Sequence, residues 1–236
     1  MSIAQLVRGV LLVAGLAAVA GHGSADPGVP FPAPVEAWRS LVAQKADGTG
    51  LPIDFLLMWV QRESYGNPCA LGIPGVEAGI AQTYHPDDDR FGATFEELRA
   101  ACVSGKQEQA RPLTTEEKNL QVTSLVGLVK SARDAARAQM KRAGVKWAES
   151  STDFWKFVKL RHALPAWGSD YLRPCAGALG HPPATFAEFR AWIESLTEDQ
   201  VIAINAKVKP WASLAERRRL FDSAEKTGSV VGESEE

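Results

Sequence analysis

Apolar positions recur along most of this chain at three- and four-residue spacing, and alternating segments are rare. Ile53, Leu56, Leu57 and Val60 fall on one face at 100° per residue, directly after Pro52, which suits a first helical turn. The longest such stretch runs from about 120 to 143, where Val122, Leu125, Val126, Val129, Ala132 and Ala136 form a stripe that Gly144 ends. Thr94 with Glu97, Thr114 with Glu117, Thr185 with Glu188 and Thr197 with Gln200 have the spacing in which paired side chains satisfy orphan amides at a helix start. The segment from Val201 to Trp211 fits a short extended piece as well as a helix. A mainly α fold with a long central helix and few or no strands is expected.

The pattern also divides the chain. Residues 1–25 carry one cation, Arg8, an apolar run from Val10 to Ala20, and small residues at cleavage points after Ala20 and Ala25. A spanning helix needs about 20 apolar residues, so a cleaved secretory signal peptide is the expectation. Residues 26–34 form a Pro-rich spacer, 35–212 a folded domain, and 213–236 a charged, disordered tail whose Arg217–Arg219 run is a solvated face. Export to a periplasm or to the outside makes a disulfide available to three cysteines. Cys69 with Cys102 is the favoured pair, since it pins the loop after Glu63 to the next helix, and three buried thiols are the alternative.

The 236 residues are 45% hydrophobic with a formal net charge of −2, which gives no basic face for nucleic acid. No CxxC pair and no HExxH spacing occurs, so no metal site is expected.

One acid stands out. Glu63 closes the helical pattern just before a loop rich in Gly and Pro, about 80° from the centre of the apolar stripe and beside Leu56 and Trp59. Desolvation at the rim of a core and the negative end of a helix both favour a protonated carboxyl, and a Glu that keeps its proton can pass it to a leaving group. The other reading is a solvated acid paired with Arg62.

Glu63-Ser64, Asn67-Pro68 and Gly79-Ile80-Ala81-Gln82 resemble the signature of the soluble lytic transglycosylase family of the lysozyme-like superfamily, E-S-x-x-N-P followed by a G-L-M-Q turn. The first half matches at every fixed position. Ala70 and Gly75 fall where the family has Ala and Gly, Gly72 replaces its Ser, and one extra residue precedes Gly79. The resemblance covers about 35–173 and is strongest over 51–82. The family's third motif, A-Y-N-A-G-P, has its best counterpart at Leu160–Pro165, which keeps Ala163 and Pro165 and lacks the tyrosine; Arg161 or His162 stands in its place.

The resemblance implies a lysozyme-like domain that cleaves the MurNAc-GlcNAc bond of peptidoglycan, with Glu63 acting first as acid and then as base. The sugar's own N-acetyl group and C6 hydroxyl then yield 1,6-anhydromuramic ends without water or cofactor. Gln82, Ser64, Ala81 and His162 are its candidate substrate contacts, although Ser64 suits holding the loop better than touching sugar. Glu77 is a candidate second acid for a lysozyme-type hydrolysis, whereas Asp87–Asp89 are expected to be exposed. Gly72, Gly75 and Gly79 allow close backbone approach. Trp167 is a candidate sugar-stacking ring; Trp38, Trp59 and Trp155 are expected in the core. The implied partners are glycan strands bound by a monomer, and a secretion or envelope assembly complex. The alternative from another class is a non-catalytic peptidoglycan-binding or assembly protein.

Overall fold

The computed structural model describes residues 31–72, 76–84 and 93–231. The predicted signal segment 1–25, Gly75 and Asp87–Asp89 lie outside the described residues. The chain is mainly helical and divides into two compact units, which over the described residues comprise 31–131 and 132–231. Periodicity alone predicts one domain over 35–212.

In the first unit, α1 (Ala33–Glu36), α2 (Arg39–Ala46) and α3 (Ile53–Ser64) lead into a two-stranded antiparallel sheet, β1 (Glu77–Ala78) and β2 (Thr83–Tyr84). Its register pairs Glu77 with Tyr84 and Ala78 with Thr83. Then come α4 (Phe95–Leu98) and the start of α5 (Thr115–Ala143). The middle of α3 is apolar all round, so it buries Phe55 through Val60 without a break rather than only the predicted face. Phe55 and Trp59 meet edge to face at 5.7 Å, and the Trp38 indole donates to the Gly66 carbonyl at 3.0 Å. Trp38 and Trp59 are thus core residues, as expected.

The predicted helix starts form as drawn. Glu97 N–H donates to the Thr94 hydroxyl while the Glu97 carboxylate accepts from Thr94 N–H, and Thr114 and Glu117 do the same before α5. That cap moves the start of the long helix back to Thr115 from the predicted 120. Arg111 adds two bonds to Glu117, of 2.8 and 2.6 Å. With the Thr114 amide, these hold the Glu117 carboxyl down at about 2.

The second unit contains the end of α5, α6 (Thr152–Ala163), α7 (Pro165–Leu179), α8 (Phe186–Ser195), α9 (Glu198–Ile204), a 3-10 turn (Ala206–Trp211), α10 (Leu214–Gly228) and a final 3-10 turn (Ser229–Val231). Thr185 and Thr197 cap α8 and α9, each accepting a backbone N–H from the residue three on. The stretch from Val201 to Trp211 is helical, not extended.

The tail predicted over 213–236 requires correction, because most of it, Leu214–Gly228, is α10, packed on α6. Leu220, Phe221 and Ala224 are buried, and the Phe221 ring lies 5.4 Å from Phe186, 5.8 Å from Phe189 and 6.4 Å from Trp167. Arg217 is no solvated residue: it is 2% exposed and donates to the Ile193 carbonyl. Burial lowers the pKa of its guanidinium from the ordinary value. Arg218 does remain outside, paired with Glu194, and Arg219 is half-buried, paired with Glu216. Arg190 further ties α8 to α10 through Asp222 and Glu225. Among the described residues no helix is long and apolar enough to cross a membrane.

Candidate active site around Glu63

Helix α3 stops at Ser64 because Tyr65 takes a left-handed conformation, φ 54° and ψ 29°, and its N–H closes back on the Gln61 carbonyl at 3.2 Å. Glu63 therefore occupies the last turn, at the negative end of the helix, and it is half-buried as the wheel predicts. Beside it, the Ser64 hydroxyl accepts from Gly66 N–H at 3.1 Å and faces two carbonyls, Val60 at 3.1 Å and Ile80 at 2.9 Å. One proton serves both. Ser64 thus fastens the end of α3 to the turn at Gly79–Gln82, and its hydrogen bonds are spent inside the protein.

The intervening loop is held at several points. Asn67 accepts from Cys69 N–H at 2.9 Å through its side-chain oxygen and donates to the Gln107 carbonyl at 3.1 Å. Cys69 and Cys102 form the expected disulfide, with Cα atoms 5.7 Å apart. Arg99, 9% exposed, donates to the carbonyls of Cys69 at 2.9 Å, Val103 at 3.2 Å and Lys106 at 2.6 Å. Burial lowers its pKa, but three carbonyl acceptors keep the charge tolerable.

Gln121 of α5 was not singled out by sequence, yet it joins three segments. Its amide nitrogen donates to the carbonyls of Pro68 at 3.0 Å and Leu98 at 2.9 Å, and its oxygen accepts from Ile80 N–H at 2.8 Å. The residue is 1% exposed, so water cannot replace any of these bonds. Its signal lay in the pattern: Gln121 precedes Leu125 and Leu128 on the buried stripe, where a polar residue needs a reason. Gln121→Leu, similar in volume, leaves one N–H and two carbonyls unpaired. We expect it to cost about 2–3 kcal/mol, to be read by denaturant unfolding; a midpoint within error of the parent would show that the bonds contribute nothing.

The turn itself has two unusual residues. Gly79 has φ 82°, and a Cβ there would lie 2.4 Å from the Gln121 side-chain oxygen, so both dihedral and space demand glycine. Gln82 adopts φ 50° and donates from its amide to the Gly79 carbonyl at 2.9 Å while staying partly exposed. Its amide oxygen lies 2.4 Å, and a Glu77 carboxylate oxygen 2.3 Å, from where a Cβ on Gly72 would be. A Cβ at 72 would press on the ends of both side chains, which would have to shift to admit it. Glu77 and Gln82 are brought together over Gly72.

Two expected contacts are corrected. Ala81 is 1% exposed, its neighbour Ile80 is fully buried, and neither side chain can reach a ligand. Trp167 is fully buried at 4.5 Å from Tyr171, in the aromatic core of the second unit, so it cannot stack on a sugar. Tyr171 directs its hydroxyl to the Val201 carbonyl at 2.5 Å, and burial raises its pKa from the ordinary value. His162 is half-buried in the last turn of α6, in the second unit.

The chain matches no family model, no curated protein and no solved structure. Geometry and the motif resemblance therefore carry the functional reading. Among the described residues no group of three or more His, Cys, Asp or Glu stands together as a metal site would require. What the first unit offers instead is acid–base chemistry: a half-buried carboxyl at a helix end, an amide able to bind an N-acetyl or hydroxyl group, and a second carboxylate beside that amide.

Proposed function

We propose that this protein is an exported lytic transglycosylase of lysozyme-like fold that cleaves the MurNAc-GlcNAc bond of peptidoglycan. The observation that carries the reading is the placement of Glu63, half-buried at the end of α3 and fastened through Ser64 to the turn that presents Gln82. In the reaction, the protonated Glu63 donates to the leaving GlcNAc oxygen as the bond to muramic C1 breaks. The resulting carboxylate then takes the proton of the C6 hydroxyl as that oxygen attacks C1, closing the 1,6-anhydro ring and restoring the acid. Proton and bond counts balance with one carboxyl, and no cofactor enters. The Cys69–Cys102 disulfide fits an oxidising compartment, a periplasm or the exterior.

A second reading draws on Glu77. Its carboxylate sits beside Gln82, over Gly72, where a base could activate water for a lysozyme-type hydrolysis. The two mechanisms leave different ends. Incubating purified sacculi with the protein and weighing the released muropeptides is expected to give anhydromuramic ends; reducing ends would favour Glu77 and hydrolysis, and no release would favour a non-catalytic wall-binding protein.

A further inference from the structure

Both sides of the candidate site lean on Ile80. Its N–H donates to the Gln121 side-chain oxygen at 2.8 Å, its carbonyl accepts from the Ser64 hydroxyl at 2.9 Å, and its side chain is fully buried. Ser64 follows Glu63 directly, and Gln82 comes two residues after Ile80. The other arm of Gln121 reaches the second half of the same site: its amide nitrogen donates to the carbonyl of Pro68, in the loop after Glu63, at 3.0 Å. One side chain of α5 thus spans the loop that follows the acid and the turn that presents the amide.

Hydrogen bonds in three directions do what apolar packing cannot. An aliphatic side chain at 121 would fill the volume, but contacts of that kind tolerate sliding, whereas a buried and fully bonded amide admits one geometry. The fit leaves no slack: Gln121 is 1% exposed, and a Cβ on Gly79 would lie 2.4 Å from its oxygen. Within the turn so held, Gly79 has φ 82° and Gln82 has φ 50°, a left-handed backbone that Gln adopts only where its surroundings impose it. Ser64 and Gln121 fix the turn at Ile80, and the Gln82 amide closes on the Gly79 carbonyl at 2.9 Å.

We propose that Gln121 is a positioning residue for catalysis: through Ile80 it sets the placement of Gln82 relative to Glu63. This rests on the reading of the site as glycan-cleaving. Gln121 itself touches no substrate. It acts because the acid must meet the glycosidic oxygen while Gln82 holds the sugar, and a relative displacement near 1 Å in such a pair costs about 10²-fold in rate. A strand held along its length keeps its ground-state contacts when one amide shifts, so the loss falls on kcat rather than KM.

The test uses the full chain and soluble, uncrosslinked peptidoglycan strands, with kcat and KM read from the muropeptide ends released well below the melting transition of every variant. Gln121→Leu, wholly folded there by circular dichroism, is expected to lose about 10²-fold in kcat with KM within about threefold of the parent. A residue that serves stability alone would leave both constants unchanged once the variant is folded. Ser64→Ala frees the other polar group of Ile80, so the double variant is expected to fall no more than about threefold below the worse single one, whereas independent sites would multiply their losses. Gln121→Met, whose flexible chain fits the same space, takes the place of Gln121→Leu if that variant fails to fold. The parent's kcat in a folded Gln121 variant, multiplied losses in the double one, or failure of both Gln121 variants to fold refutes the positioning role and leaves the reading of the site standing. No release by the parent refutes both.

Discussion

Replacing Glu63 by Gln is expected to lower muropeptide release from sacculi by about 10²–10⁴-fold, the usual loss when a general acid is removed, and to leave the fold intact. The substitution keeps size and shape but removes the transferable proton. Neither half of the proposed cycle can then run, because the amide cannot protonate the leaving oxygen or receive the C6 hydroxyl proton. Stability should hold for a separate reason. At the end of α3 a neutral amide is nearly isosteric with the protonated carboxyl of the proposed cycle and likewise places no charge against the helix carbonyls. Glu63→Asp separates chemistry from position: it retains a carboxyl but draws it back by one methylene, about 1.5 Å, and should also lose most of the rate because a misplacement near 1 Å can cost about 10²-fold. Release rates measured beside thermal melts decide the matter. A Gln variant that melts normally and still releases muropeptides at the parent rate would remove Glu63 from the mechanism.

The parts of the fold that were legible in sequence were those in which one local interaction decides the outcome. A threonine followed three residues later by Glu or Gln satisfies orphan amides whatever surrounds it, and all four such pairs begin helices. Ser213 with Glu216 has the same spacing and caps α10, with Glu216 N–H donating to the Ser213 hydroxyl at 3.3 Å. The helix was hidden because Arg217 occupies a core position on its apolar stripe. A guanidinium there reads as a solvated face until the Ile193 carbonyl that receives it is known, while the hydrocarbon stem packs as an apolar residue does. Such partners lie far away in sequence, and periodicity does not register them.

The same division runs through the site. Glu63 and its place at the rim of the core follow from the wheel of α3, a local matter. Whether Gln82 points outward while Ala81 points inward depends on Gln121 drawing in the Ile80 amide from 41 residues away. The convergence of Glu77 and Gln82 over Gly72 joins positions that periodicity leaves apart, and only the three-dimensional structure reveals it. Proximity along the chain to the third motif is what makes Trp167 a candidate sugar-stacking ring. Its actual neighbours, Tyr171 and Phe221, come from the helix it begins and from the helix mistaken for a tail.

Removing the Cys69–Cys102 bridge is expected to destabilise the first unit by about 3–4 kcal/mol, the loop-closure value for two cysteines 33 residues apart. The bridge closes a segment that holds the rest of the loop after Cys69, the turn at Gln82, both strands and α4, so Gly72, Glu77 and Gln82 lie within it and Glu63 just outside. In the native state the loss should be local. Arg99 on the Cys69 carbonyl, Asn67 on the Gln107 carbonyl and Gln121 on the Pro68 carbonyl all remain, so the loop loosens without collapsing. Hydrogen exchange after reduction and alkylation should therefore quicken in peptides spanning 61–84 and 99–110, with little change in those from α6 and α10. Cys175 provides an internal control. Burial pushes its thiol up to about 12, so little thiolate forms near neutral pH and the side chain is inaccessible in any case. Native reduction should consequently expose two alkylatable thiols, not three, and a third would show that the second unit had opened as well. If a Cys69→Ala, Cys102→Ala variant unfolds at the parent's denaturant midpoint, chain closure contributes nothing here, and the order of the site must rest on the hydrogen bonds of Gln121, Arg99 and Asn67 alone.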